Sequence, residues 1–169
     1  LKDLSNFKDL KSLESSAFPV SFTKDSIGTT HLTEQNKPSL FKKPTSIPVY
    51  TVICAFHGSE GENGAFQGVC EQFNIPYTGS GVLASSVGMD KVKAKQLCEA
   101  NNIPVTSSLD FYEHDWELHQ NMILEEATLL GFPLVVKPAN LGSSIGVKKV
   151  DTQDDLIEAV EIAFRYDAH

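Results

Sequence analysis

The chain has 169 residues, 41% of them hydrophobic, enough for one ordinary domain or parts of two with a real core. Its 14 Lys+Arg against 22 Asp+Glu leave a net charge of -8, with no basic block to track a phosphate backbone, which argues against a nucleic-acid partner. No apolar run approaches the roughly 18 residues that span a bilayer, and the opening "LKDLSNFKDLKSLESS" lacks the basic-then-apolar order of a signal peptide, so neither membrane insertion nor secretion is expected.

From Leu1 to Pro48 the pattern is weak. A short amphipathic piece is expected at "LSNFKDLKSL", and Ser21 to Pro48, rich in Ser, Thr, Lys and Pro, reads as mostly loop with one short strand. "VYTVICAF", Val49 to Phe56, is a continuous β-branched and aromatic run, which predicts a strand buried on both faces inside a parallel sheet. The loop "HGSEGENG" follows, then "AFQGVCEQFN", where Phe66, Val69, Cys70 and Phe73 recur at helical spacing. Asn74 tolerates the left-handed conformation that ends a helix, and Pro76 forbids its continuation, so a βαβ-type unit is predicted.

The same punctuation returns 28 residues on: "NIPYT" at Asn74 to Thr78 and "NIPVT" at Asn102 to Thr106 predict two helix-to-strand exits built the same way. Between them Asp90 can cap a helix through "KVKAKQLCEA", with Val92, Leu97 and Cys98 facing inward. Trp116 to Leu130 predicts a further helix, halted at Gly131. Strand Pro133 to Lys137, a turn and strand Val147 to Val150 come next. The last helix is the best marked, with Thr152 as cap, Asp154 and Asp155 in its first turn, and Leu156, Ala159, Val160, Ala163 and Phe164 as one apolar stripe. Two layers, helix on sheet, are specified.

Cys54, Cys70 and Cys98 are odd in number, far apart and set within apolar patterns, so they read as small buried residues in a reducing cytoplasm, not as a disulfide or metal set. His114 and His119 are five apart, which rotates them off a common helical face. A zinc pair is not expected, and both belong at the surface.

Chemistry concentrates in "FPLVVKPANLGSSIGVKKV", Phe132 to Val150. A Gly-rich turn after a strand suits a Walker loop or a dinucleotide fingerprint only when a helix follows directly, and here a strand follows. "ANLGSSIG" is therefore read as the loop of a β-hairpin. Gly142 and Gly146 free its backbone, and Ser143, Ser144 and nearby N–H groups are donors; on this stretch alone an ordinary mobile hairpin and a ligand-covering loop fit equally. Lys137, ending "PLVVK", needs either a snorkelling route to water or an anion. Lys91 in "MDKVKAK" starts a helix, the end where a cation is less favourable than an acid. His57 stands at the end of the predicted parallel strand, the edge where open sheets bind ligands, although a lone histidine is more often structural.

Taken in order, "HGSEGENGAFQGVCEQFNIPYTGSGVLASSVGMDK", "NNIPV" and "GFPLVVKPANLGSSIGVKKV" closely resemble the D-alanine:D-alanine ligases of the ATP-grasp superfamily. That family's pattern runs HG, GEDG, QG, IPYTGSG, a small-residue helix, MDK, IPV and a VKP-to-GSSxG hairpin; the match covers Phe56 to about Asp167. The resemblance implies an α/β fold of ATP-grasp type. Residues 1–79 would be the latter part of an N-terminal open parallel α/β domain, and residues 80–169 a central α+β subdomain bearing a phosphate-binding β-hairpin. It further implies that Lys91 and Lys137 reach the nucleotide phosphates and that Gly142 to Gly146, including Ser144, close on them. Ser143 would sit near the first D-alanine site, and His57 near the D-alanine and acyl-phosphate region.

The implied ligands are ATP, D-alanine and Mg²⁺, with Mn²⁺ as a substitute, in a cytoplasmic, homodimeric enzyme that makes D-alanyl-D-alanine for peptidoglycan. Two lysines and loop amides suit that chemistry, because moving a γ-phosphoryl group to a carboxylate brings anions together. Asn63 departs from the family's acid, keeping a loop-forming side chain and losing one charge. The family's opening glutamate-bearing turn, its adenine-contacting strand, and its C-terminal arginine and metal ligands have no counterpart here. An internal piece, inactive alone, is therefore expected. A ligase joining D-alanine to D-serine or D-lactate, and a non-catalytic nucleotide-binding module, are the competing readings.

Overall fold

The computed structural model describes residues 19–35 and 44–169, so the amphipathic piece expected at "LSNFKDLKSL" lies outside the described residues. The chain divides into two units, Leu1–Ile53 with Val69–Thr78 and Cys54–Gly68 with Gly79–His169.

In the first unit, the stretch expected to be mostly loop is an antiparallel sheet of β1 (Val20–Lys24), β2 (Thr30–Glu34) and β3 (Ser46–Pro48), in that order. Turn chemistry outweighs composition here. Asp25 Oδ1 accepts from the N–H groups of Ile27 at 3.0 Å and Thr29 at 2.8 Å, Gly28 takes φ 87°, and the reversal sets Phe22 opposite Leu32. The Thr and Ser content then becomes cross-strand pairing, with the Thr23 and Thr33 hydroxyls 2.7 Å apart and Thr33 3.0 Å from Ser46.

The run Val49 to Phe56 is a second correction. It makes one parallel bridge, Val52 to Tyr77, with Val52 N–H donating to Pro76 O at 2.8 Å and Thr78 N–H to Val52 O at 3.0 Å. Tyr50 and Ile53 are 76% and 77% exposed. A strand buried on both faces needs neighbours on both edges and cover on both sides, whereas this run has the single Tyr77 bridge and, at its start, Val49 N–H donating to Thr30 O at 2.9 Å. The parallel direction holds; the extended buried strand does not.

"HGSEGENG" contains a single helical turn, α1 (Ser59–Glu62), and α2 (Ala65–Phe73) follows. The two exits are built alike. Asn74 and Asn102 take φ 56° and 57°, and Ile75 N–H donates to Cys70 O and Ile103 N–H to Cys98 O, each at 2.9 Å. The first leads to the Tyr77 bridge, whereas residues 103–112 form no strand.

The second unit continues through α3 (Val82–Met89), α4 (Lys91–Ala100), α5 (Glu113–Leu130), β4 (Leu134–Val136), β5 (Lys148–Val150) and α6 (Gln153–Phe164). Helix α5 starts ahead of Trp116 because Asp115 Oδ2 accepts from Tyr112 N–H at 3.1 Å, which adds a first turn. Thr152 Oγ1 accepts from Asp155 N–H at 3.2 Å, capping α6 as expected. The two-layer expectation holds: Trp116, Ile123, Leu124 and Ala127 of α5 cluster with Leu156, Ala159 and Val160 of α6 and with Val150 of β5. Helix α4 buries no residue, and Leu97 is 56% exposed, because Val92 and Leu97 are five apart and diverge around the helix. Of the cysteines only Cys70 is fully buried; Cys54 and Cys98 are half-buried. His114 and His119 are exposed.

Candidate phosphate-binding site

β4 and β5 pair antiparallel, with Leu134 opposite Val150 and Val136 opposite Lys148. The strand period turns Leu134 and Val136 toward the helical core and leaves Val135 and Lys137 exposed on the open side. Lys137 therefore has no burial to offset, which removes the desolvation argument for an anion there. Directly after it the chain goes inside: Pro138 is fully buried and Ala139 nearly so.

Lys91 arrives from another element. Asp90 Oδ1 caps α4, accepting from Val92 N–H at 3.0 Å and Lys93 N–H at 2.9 Å, and its charge offsets the cation placed at a helix N-terminus. Lys91 N–H donates to Ala139 O at 3.0 Å, while Lys91 Nζ donates to the same oxygen at 3.3 Å and to Leu141 O at 2.5 Å. Desolvation holds the Lys91 pKa below its usual 10.5, the Lys137 charge lowers it further, and Asp167 and Asp90 act in the opposite sense. The two lysines are thus electrostatic neighbours at the root of one loop. No ion pair among the described residues neutralises either.

At the loop tip Ser143 and Ser144 take φ 54° and 59°, and Ile145 N–H donates to Gly142 O at 3.2 Å. This is the geometry of a type I′ turn, carried by two residues that are not glycine, at a cost of about 1–2 kcal/mol each. Both serines are exposed. His57 is exposed and makes no hydrogen bond among the described residues. The next residue ties its turn to the hairpin's surroundings: Gly58 N–H donates to Glu62 Oε2 at 2.7 Å, and that oxygen would lie 3.9 Å from a Cβ placed on Gly142. Asn63 does keep the loop-forming role, its Oδ1 accepting from Ala65 N–H at 3.0 Å at the entry to α2.

Two carboxylates escaped the sequence reading. Glu62 is one, and Asp167, whose Oδ2 accepts from Asn140 N–H at 2.7 Å, is the other. The Asp167 contact joins residues 27 apart, so no local pattern announces it. Two shallow surface depressions lie elsewhere, one lined by Leu124, Thr128 and Gln153 and one along Glu117 to Met122, and neither is lined by Lys or Arg. Among the described residues no cluster of three His, Cys, Asp or Glu side chains suits a metal ion, and no helix is long and apolar enough to cross a membrane.

Residues 97–169 match the family described as D-ala D-ala ligase C-terminus. The chain is 46% identical over 117 residues to the D-alanine--D-alanine ligase of Treponema pallidum (strain Nichols), covering 69% of this chain and 30% of that protein. With the D-alanine--D-alanine ligase of Bacillus pumilus it shares 40% over 141 residues, 82% of this chain and 39% of that protein. Residues 97–169 belong to the D-alanine--D-alanine ligase family. Solved structures agree. The D-alanine-D-alanine ligase from Coxiella burnetii superposes with a TM-score of 0.76 at 28% identity over 98% of this chain and 43% of that one. The VanG D-Ala:D-Ser ligase from Enterococcus faecalis gives 0.71 at 32% over 96% and 43%. Relative to these two curated ligases, the chain spans 30 to 39% of their length. The D-alanine--D-alanine ligase match 97–169 takes in Lys137 and the hairpin, while Lys91 and His57 precede it.

Proposed function

We propose that the whole protein is an ATP-dependent ligase that joins two D-alanines, with residues 80–169 as its central ATP-grasp subdomain and residues 1–79 as the latter part of the preceding domain. The observation that carries this reading is the convergence of Lys91 and the Lys137 strand on the root of the Gly142 to Gly146 hairpin. In the proposed reaction the carboxylate of one D-alanine attacks the γ-phosphorus of ATP, giving an acyl phosphate and ADP. The amine of the second D-alanine then attacks the acyl carbon, phosphate leaves, and the amine gives up a proton.

Lys91 and Lys137 would hold the phosphates and offset their charge, and the Gly142, Ser143, Ser144 and Gly146 backbone would cover the transferring group. Ser143 is assigned to the first D-alanine and His57 to the acyl-phosphate region. Mg²⁺ is expected with ATP in this chemistry; the described residues hold no cluster of three His, Cys, Asp or Glu side chains, and no step is drawn through the metal. A cytoplasmic homodimer for peptidoglycan synthesis is carried over from the family resemblance.

A second acceptor is worth testing because one structural neighbour is a D-Ala:D-Ser ligase. The experiment is ADP release by the whole protein with D-alanine alone, then with D-serine or D-lactate added, and identification of the product. D-alanyl-D-alanine as the main product is expected. Nucleotide binding without ADP release under any of these conditions would leave a non-catalytic module.

A further inference from the structure

The segment following α6, "RYDAH", grips both roots of the hairpin loop. Asp167 N–H donates to Ala163 O at 3.2 Å, fixing Asp167 against the end of α6. From there Asp167 Oδ2 accepts from Asn140 N–H at 2.7 Å, and two residues on His169 O accepts from Ala139 N–H at 2.9 Å. On the opposite side Ala139 O takes both Lys91 donors. The far root is equally close, since a Cβ on Gly146 would stand 2.7 Å from Pro138 Cγ and 3.1 Å from Tyr166 Cδ2.

A carboxylate is a costly acceptor to place beside two cations meant for phosphate, because it repels the anion they attract. A neutral acceptor would serve if shape alone mattered at low demand. A charged one makes the stronger bond to a backbone N–H and offsets the mutual repulsion of Lys91 and Lys137 while no phosphate is bound. We infer that Asp167 is a positioning residue of the phosphate loop: its hold on Asn140 N–H sets the path that brings Leu141 O onto Lys91 and the loop amides toward the transferring phosphoryl group. The role in catalysis rests on the ligase reading above, whereas the role in fixing the loop root does not.

The test compares the whole parent protein with Asp167→Ala and Asp167→Asn, the latter keeping an oxygen that can accept from Asn140. Nucleotide-free limited proteolysis should show faster cleavage at residues 138–141 in Asp167→Ala than in the parent. In steady-state assays its kcat should fall roughly 10- to 100-fold while KM for D-alanine stays within about twofold, the pattern of a misplaced group and not of lost substrate binding. Asp167→Asn should recover part of both readouts, because it keeps an acceptor for Asn140 N–H and loses the charge. Unchanged root cleavage in Asp167→Ala overturns the proposal, as does unchanged kcat, or an Asp167→Asn as impaired as Asp167→Ala. Should Asp167→Ala fail to fold, Asn140→Pro deletes the donor instead and must show the same loosened root and lowered kcat, or the proposal fails. A parent that releases no ADP with D-alanine refutes the ligase reading alone; the nucleotide-free cleavage then still decides whether Asp167 fixes the loop.

Discussion

Lys91 and Lys137 are assigned the same ligand but are built into the protein differently, which gives a two-sided prediction. If each makes the proposed charge-assisted contact to phosphate, worth roughly 1.5–3 kcal/mol, Lys137→Ala and Lys91→Ala should each weaken ATP binding about 10- to 150-fold. Stability should separate them. Lys137 is exposed and holds nothing among the described residues, so its removal should leave unfolding free energy within about 0.5 kcal/mol of the parent. Lys91 Nζ ties Ala139 O and Leu141 O to the start of α4, and losing that link should cost about 1 kcal/mol after allowing for solvent screening and for the relief of repulsion from Lys137. Calorimetric titration with ATP and thermal melts of the two variants measure both quantities. ATP binding at parental strength in both would refute the phosphate assignment, and a Lys137→Ala melting several degrees lower would refute its placement on the open side of the hairpin.

Lys91 also gives a pH signature: with its folded pKa below 10.5, the penalty on folding is fully present at neutral pH and is relieved as pH rises through the folded value toward 10.5. Denaturant titrations should therefore show this contribution to stability rising over that alkaline interval and missing from Lys91→Met, while ATP affinity falls over the same interval. Gly146→Ala should destabilise by about 1–3 kcal/mol, because φ is 68° and the new Cβ meets Pro138 Cγ at 2.7 Å, whereas Gly142→Ala, with only Glu62 Oε2 at 3.9 Å, should melt like the parent. Thr152→Ala should cost about 1 kcal/mol in chemical denaturation through loss of the α6 cap, and Thr152→Ser should restore it. Protease cleavage within 141–145 should slow when ATP and Mg²⁺ are added, and equal rates in both states would argue against a loop that closes on nucleotide.

What the sequence determined by itself was local. The Asp90 and Thr152 caps, the paired Asn74 and Asn102 exits, and the Leu156, Ala159, Val160 stripe each depend on residues within about one helical turn of one another, where side-chain chemistry and backbone preference act directly. The hairpin and its Gly/Ser loop were legible for the same reason, since a strand and not a helix follows the glycines. The Val49 to Phe56 run was not, because an apolar run states that a strand can be buried but not that neighbours are there to bury it. Nor was the first sheet, where a single Asp25 turn outweighed a loop-like composition. Only the tertiary structure decided the site: Lys91 reaches carbonyls 48 and 50 residues away, and Asp167 reaches back 27 to Asn140. Such contacts leave no spacing or periodicity to read, because they are set by the packing of α4, α6 and the hairpin and not by neighbouring residues in the chain.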